Sequence, residues 1–263
     1  MTHLEEDTVK LVSTGQVSEI VINRPKSLNA LNADVLQGII LALEKLSTMP
    51  DVRVITITGE GEKAFVAGAD IATMSGLGPR AIADYVELGQ RAMRALELAP
   101  VPVIAAVNGY ALGGGLELAL ACDIIVASRA ARLGQPEVNL GVIPGFGGTQ
   151  RLIHRCGVGA ARRLCYTGEL ITADEGFTIG LVDRVVEAAE LKAAVSSMAN
   201  LIAQKAPLAV QKAKTVIRQS QEGALNAGLR LEVEGFLSLF ATEDRAEGMN
   251  AFLQKREAKW QGR

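Results

Sequence analysis

Ala105-Ala-Val-Asn-Gly-Tyr-Ala-Leu-Gly-Gly-Gly-Leu-Glu-Leu-Ala-Leu-Ala-Cys-Asp-Ile124 is the stretch on which the fold turns. It begins inside an apolar run, Pro102 to Asn108, that predicts a strand. The triplet Gly113-Gly114-Gly115 ends that strand and opens a helix over Gly113 to Ala121. A further strand, Ile124 to Ser128, follows. Strand, glycine turn, helix and strand in succession point to an α/β chain. Glycines let the backbone approach a ligand closely, and a helix N-terminus offers unpaired N–H groups at the positive end of its dipole. Such a place suits an oxyanion. No Lys-Ser or Lys-Thr follows the triplet, so a Walker A loop is excluded. A turn made for tight helix packing fits the glycines equally well, and the triplet alone leaves both readings open.

Glu117 falls in the first turn of that helix. As a surface acid it would complement the helix dipole. Its neighbours Leu116, Leu118, Ala119, Leu120 and Ala121 leave little polar face, which argues for burial. A buried carboxylate needs a partner or a chemical task. A second acid, Glu137, stands in Gly134-Gln-Pro-Glu-Val-Asn-Leu-Gly-Val-Ile-Pro-Gly-Phe-Gly-Gly-Thr-Gln-Arg151. Pro136 fixes the backbone before it, and an N-cap or an exposed loop acid is its plain alternative. Gly145-Phe-Gly-Gly148 reads as turn chemistry ahead of a helix from Thr149 onward. Two acids in such settings point to acid and base work without a metal or redox cofactor. A third segment, Ala64-Phe-Val-Ala-Gly-Ala-Asp-Ile71, has small residues whose backbone can bond a ligand, and Asp70 can cap the next helix.

Outward from these segments, Val17 to Asn23 and Arg53 to Gly59 read as strands. Asn32 caps a helix running through Leu46, and Ala81 to Leu98 forms a long amphipathic helix. The order strand, strand, helix recurs without a strict sequence repeat. After about residue 190 the chain turns helical: Leu191 to Lys205, Ala209 to Ser220, Ala224 to Leu239 and Thr242 to Trp260. The expected division is an α/β core over 1–195 and a C-terminal helical module over 196–263. Apolar stripes on such a tail commonly pack against a neighbouring subunit, so a homo-oligomer is expected, with Trp260 an interface candidate.

Composition narrows the partners. Of 263 residues, 49% are hydrophobic, enough for a large core. The net charge is -2, from 27 basic and 29 acidic residues with no long run of either sign, which disfavours nucleic acid. Cys122, Cys156 and Cys165 are an odd number without CxxC spacing, and read as buried thiols rather than disulfides or a metal site. The acidic start lacks a signal-peptide pattern, and no apolar run reaches spanning length. A cytoplasmic protein without membrane partners is expected. His154 reads as structural and Tyr110 as packing.

Together, Ala64 to Ile71, Ala105 to Ile124 and Gly134 to Leu152 resemble the enoyl-CoA hydratase/isomerase (crotonase) family. Asn23-Arg-Pro-Lys-Ser-Leu-Asn-Ala-Leu31, Thr167-Gly-Glu169, Gly180-Leu-Val-Asp-Arg-Val-Val186 and Gly248-Met-Asn-Ala-Phe-Leu-Gln-Lys-Arg256 fit it too. The likeness runs from about residue 8 to 260. It implies a spiral of ββα turns with a C-terminal helical oligomerisation module, assembled as a homotrimer or homohexamer.

The resemblance also assigns roles. The N–H groups of Ala69 and Gly114 would form an oxyanion hole for an acyl-CoA thioester carbonyl, where aimed donors stabilise the developing enolate. Glu117 would activate the water attacking Cβ, and Glu137 would protonate Cα. CoA is then part of the substrate, and neither a further cofactor nor a metal is expected. Lys26, Leu28, Ala67, Ala69, Asp70, Ile71 and Gly114 match CoA-binding positions, as do Phe252 and Lys255 near the C-terminus. Read alone, Lys26 and Lys255 are simply solvated lysines. Met74-Ser-Gly-Leu-Gly-Pro-Arg80 is richer in glycine than its counterpart in many relatives. Retention of both acids favours 2-enoyl-CoA hydration over a δ-isomerase, which commonly keeps only the acid matching Glu137. A methylglutaconyl-CoA-type hydratase that also binds RNA is a further alternative, opposed by the absence of a basic patch.

Overall fold

The computed structural model describes residues 8–205, 207, 210–218, 233, 236, 237 and 240–259. Its first sheet starts with an antiparallel hairpin of β1 (Val9–Thr14) and β2 (Val17–Ile22). Then β3 (Val54–Gly59), β5 (Val103–Val107), β7 (Ile124–Ser128) and β10 (Arg184–Val186) join in parallel, in the order β1-β2-β3-β5-β7-β10. The second sheet runs β4 (Ala64–Val66), β6 (Tyr110–Leu112), β8 (Arg132–Gly134) and β9 (Leu170–Thr172), parallel except for its last pair.

The chain alternates between the sheets. After β3 and β4 come α2 (Ile71–Ser75) and α3 (Pro79–Leu98); after β5 and β6 comes α4 (Gly114–Leu120). After β7 and β8 come a 3-10 turn at Pro136–Leu140 and α5 (Gly148–Thr167). Each winding adds one strand to each sheet and one helical layer, which is the expected ββα spiral. Then α6 (Ala173–Thr178) and α7 (Leu191–Ala203) flank β10.

Burial explains the strand sequences. Val103, Ala105 and Val107 face the main core, while Ile104 and Ala106 face Leu191, Ala194, Val195 and Ala199 of α7. With both faces covered, strands of this sheet read as unbroken apolar runs. Near the start of the chain, α1 (Ala33–Ser47) is capped as expected: the Asn32 side chain accepts from the Val35 N–H. Its Leu36, Ile39, Leu43 and Leu46 enter the core, and α1 packs on α3.

In the C-terminal part, residues 210–218 are helical. Buried Lys214 fastens them to the core, with Nζ 2.8 Å from Asp123 Oδ2 and 3.0 Å from the Val101 carbonyl. A last helix, α8 (Glu243–Leu253), packs on α2 and on the Pro136–Leu140 turn. The expected helix to Trp260 ends early, because Lys255 adopts φ +55° and Arg256 folds back onto Glu247 at 2.6 Å. That guanidinium holds the Glu247 carboxyl down at about 2. Most of the expected helix Ala224 to Leu239, and Trp260, lie outside the described residues. Among the described residues, no helix is long and apolar enough to cross a membrane.

Candidate active site

Three parallel strands end side by side. Val66 pairs with Ala111, and Leu112 with Gly134, so β4, β6 and β8 deliver their next residues to one rim. Those residues are Ala67 to Asp70, Gly113 to Glu117, and Gln135 to Glu137. The C-terminal ends of parallel strands are where open α/β sheets place ligand sites. Close packing welds the three segments together. A Cβ on Gly115 would run into the Val66 carbonyl, and one on Gly68 would lie 3.5 Å from the Leu112 carbonyl.

The first segment presents a backbone donor. Leu31 bridges Ala69 in parallel: the Leu31 N–H donates to the Gly68 carbonyl at 2.9 Å, and the Asp70 N–H donates to the Leu31 carbonyl at 2.8 Å. That pattern turns the N–H of Ala69 away from Leu31. Among the described residues no acceptor pairs with it. Tyr85 stiffens the bridge, its buried hydroxyl donating to the Leu31 carbonyl at 2.6 Å. Burial raises the Tyr85 hydroxyl well above its ordinary pKa, so it stays a donor. Asp70 caps α2 as expected, accepting from the Thr73 N–H, and also pairs with Arg24 at 3.0 Å.

The second segment supplies another donor and an acid. Gly113 adopts φ +50°, which glycine tolerates best. Its turn aims the first N–H groups of α4 outward, and that of Gly114 has no acceptor among the described residues. The Leu31 side chain would lie 3.3 Å from a Cβ on Gly114, so both donors sit around one leucine. Glu117 is 1% exposed, which settles its burial. Its Oε1 accepts from the N–H of Phe146 at 2.8 Å and of Gly148 at 2.7 Å. These bonds offset part of the cost of burying a carboxylate.

Glu137 lies half-buried on the Pro136–Leu140 turn. Its carboxyl group rests on Gly113, where a Cβ would lie 2.9 Å from Oε1. Between the acids lies Gln135, fully buried; with its amide oriented as the surrounding donors and acceptors require, the nitrogen donates to Glu137 Oε1 at 2.9 Å and Oε2 at 3.1 Å. A Cβ on Gly148 would lie 2.5 Å from the opposite end of that amide, the end away from Glu137, and 3.0 Å from Glu117 Oε1. Both acids therefore flank one buried amide, beside two backbone donors. The arrangement can hold a polar molecule between two carboxyl groups and stabilise negative charge on a neighbouring oxygen.

The remaining candidates are more peripheral. Lys26 stands exposed on a 3-10 turn, Pro25–Ser27, and Leu28 follows at φ +49°. The Leu28 carbonyl accepts from the Ala67 N–H at 3.0 Å, which ties this turn to the donor segment. Ile71 opens α2 half-buried. Phe252 and Lys255 are exposed at the end of α8. His154 is exposed on α5, and Tyr110 is 42% exposed rather than packed. Cys122 and Cys165 are buried and Cys156 is half-buried, all as free thiols. Among the described residues, no group of three or more His, Cys, Asp or Glu could hold a metal ion.

Sequence reading missed the residues that hold the acids. Gln135 precedes Pro136 as an ordinary polar residue, and nothing local marks it as buried. Gly145-Phe-Gly-Gly148 looked like turn chemistry, yet it supplies the two N–H groups on Glu117. A helix N-terminus following a glycine run is the one signal that could have pointed there.

The enoyl-CoA hydratase/isomerase family model matches residues 13–263. The short-chain-enoyl-CoA hydratase of Clostridium acetobutylicum is 45% identical, over 97% of this chain and 97% of its own. The crotonyl-CoA hydratase of Syntrophomonas wolfei is 45% identical, over 97% and 98%. Among solved structures, an enoyl-CoA hydratase from Bacillus anthracis superposes with TM-score 0.80 at 39% identity, covering 97% of this chain and 100% of that one. One from Mycobacterium avium subsp. paratuberculosis reaches TM-score 0.87 at 30% identity, covering 96% and 98%.

Proposed function

The chain belongs to the enoyl-CoA hydratase/isomerase family, and from that premise we propose that it adds water across the 2,3 double bond of a 2-enoyl-CoA thioester, giving the 3-hydroxyacyl-CoA. The thioester oxygen sits between the N–H groups of Ala69 and Gly114. Glu117 takes one proton from water as its oxygen bonds to Cβ, and the π electrons move toward the thioester oxygen as an enolate. The enolate then collapses as Cα takes a proton from the carboxyl group of Glu137. A proton passing from Glu117 back to Glu137 restores the starting state, so water is the only other reactant. Each aimed donor and each acid contributes through positions matched to charge that develops in the transition state.

One observation carries this reading: two acids flank the buried amide of Gln135 beside two backbone N–H groups that have no acceptor among the described residues. CoA lies along Lys26, Leu28 and the Ala67 to Ile71 segment, with Phe252 and Lys255 reaching it from α8. The substrate carries the only cofactor-like group. The core over 1–195 and helical module over 196–263 assemble as a homotrimer or homohexamer in the cytoplasm. Exposed Leu201, Val216, Phe252 and Leu253 support a covering subunit there.

The test is loss of the conjugated thioester absorbance when purified protein meets crotonyl-CoA, with Glu137→Gln as control. Rapid loss in the wild type and at least about a hundredfold slower loss in the variant is expected. Equal rates in the two proteins would remove Glu137 from the chemistry.

A further inference from the structure

Of the two amides that hold Glu117, that of Phe146 is itself held, and so is the peptide that leads from it toward Gly148. Phe146 N–H belongs to the peptide whose carbonyl is that of Gly145, and this carbonyl accepts from Gln90 Nε2 of α3 at 3.1 Å. In a planar trans peptide, C=O and N–H point opposite ways, so gripping one aims the other. The next carbonyl, that of Phe146, accepts from Arg151 Nη1 of α5 at 2.6 Å. Arg151 Nε donates to Glu97 Oε1 of α3 at 2.6 Å, and Glu97 Oε2 takes Arg94 at 3.0 Å. The Phe146 ring completes the clamp. It fills the space a Cβ on Gly89 would occupy and packs edge-on against Tyr85 at 5.6 Å.

Arg151 and Glu97 are only 4% and 14% exposed. A buried ion pair is a poor stabiliser compared with apolar packing of the same volume, because desolvation offsets its attraction. Its fixed fork is well suited to orientation instead. We infer that Gln90 and the Glu97–Arg151 pair are positioning residues: Gln90 sets the direction of the Phe146 amide, the pair fixes the Phe146–Gly147 peptide that links it to Gly148, and together they place the Glu117 carboxylate. The inference rests on the proposed role of Glu117 and deepens it. Small displacements at a reacting group cost rate steeply, on the order of a hundredfold per ångström.

The experiment compares Gln90→Met and Arg151→Lys with the wild type in two measurements. The first is kcat and KM on crotonyl-CoA. Expected is a fall in kcat of about tenfold for Gln90→Met and about ten- to a hundredfold for Arg151→Lys, with KM within about twofold because no CoA contact changes. The second is hydrogen exchange of peptides spanning 145–148, where protection should fall by about tenfold or more in both variants while the β5 and β7 strands stay as in the wild type. Unchanged exchange at 145–148, or a loss that falls entirely in KM, overturns the inference. An inactive wild type would overturn the proposed function instead, and the exchange measurement would still decide on the clamp. Should Arg151→Lys fail to fold, Gln90→Met, which removes the half-buried hydrogen bond to the Gly145 carbonyl, decides alone.

Discussion

The carboxyl group of Glu137 lies directly on the backbone of Gly113, close enough that a Cβ there would stand 2.9 Å from Oε1 and 3.3 Å from the carboxyl carbon. Gly113 also adopts φ +50°, where a side chain is strained. Gly113→Ala therefore acts twice: it displaces an acid and distorts the turn that aims the Gly114 N–H. We expect a stability loss of about 1–3 kcal/mol and a fall in kcat of at least about a hundredfold, far more than the lost stability alone would produce at room temperature. Thermal melting and steady-state hydration on the same preparation measure both. A variant with wild-type kcat would show that Glu137 does not depend on this contact.

Glu117→Gln keeps the shape of the side chain and an oxygen able to accept from Phe146 and Gly148. Its fold should survive, with a melting temperature within a few degrees of the wild type. Its hydration rate should fall by about 10²–10⁴, the usual contribution of a general base. If the rate on crotonyl-CoA falls but a 3-enoyl thioester is still isomerised near the wild-type rate, the base assignment moves to Glu137 and isomerisation becomes the main activity.

The legible parts of this chain were those with local causes. Asn32 announced α1 because a cap acts within three residues, and β3, β5 and β7 announced themselves by apolar runs buried on both faces. Strands β4, β6, β8 and β9 each have only three residues, too few for a period, although three of them carry the site. β1 was also missed, since Val9 to Thr14 mixes polar and apolar residues at a sheet edge. In the site, the glycine-rich settings of Glu117 and Glu137 were visible, and so were the small residues around Ala69. The amide of Gln135 and the Glu97–Arg151 pair were not. That pair joins residues 54 apart in sequence, and only the folded chain brings them together.

The thiols provide a check that does not depend on activity. Burial, only partly offset by Arg155, pushes Cys156 up to about 11, and burial pushes Cys122 higher still. At pH 8 about one Cys156 in a thousand is then thiolate, against about one in ten for a thiol with the unshifted value. Iodoacetamide should label Cys156 about a hundredfold more slowly than a free model thiol, and Cys122 only on unfolding. Intact-mass and peptide mapping over a time course measure this. Prompt labelling of Cys122 in the folded protein would contradict its burial.

Glu97 gives the chain an acid-sensitive bond. Burial alone would raise its carboxyl, but Arg151 first and Arg94 second outweigh that, and the group lies below its ordinary value of 4.5. A depressed folded value means that the unfolded chain binds the proton more readily. The stabilisation is therefore complete above the unfolded value and is lost as pH falls through the folded one. Glu97→Gln leaves Arg151 as an uncompensated charge at 4% exposure. Removing one partner of a buried pair costs about 3–5 kcal/mol, or roughly 6–15 °C in melting temperature for a chain of this size. The difference should be largest near pH 7 and shrink below about pH 4.5, where the wild type begins to lose the same interaction. Melting curves from pH 7 to pH 3.5 on both proteins test the sign as well as the size. A gap that stays constant across that range would mean that Glu97 stabilises the fold by its shape and not by its charge.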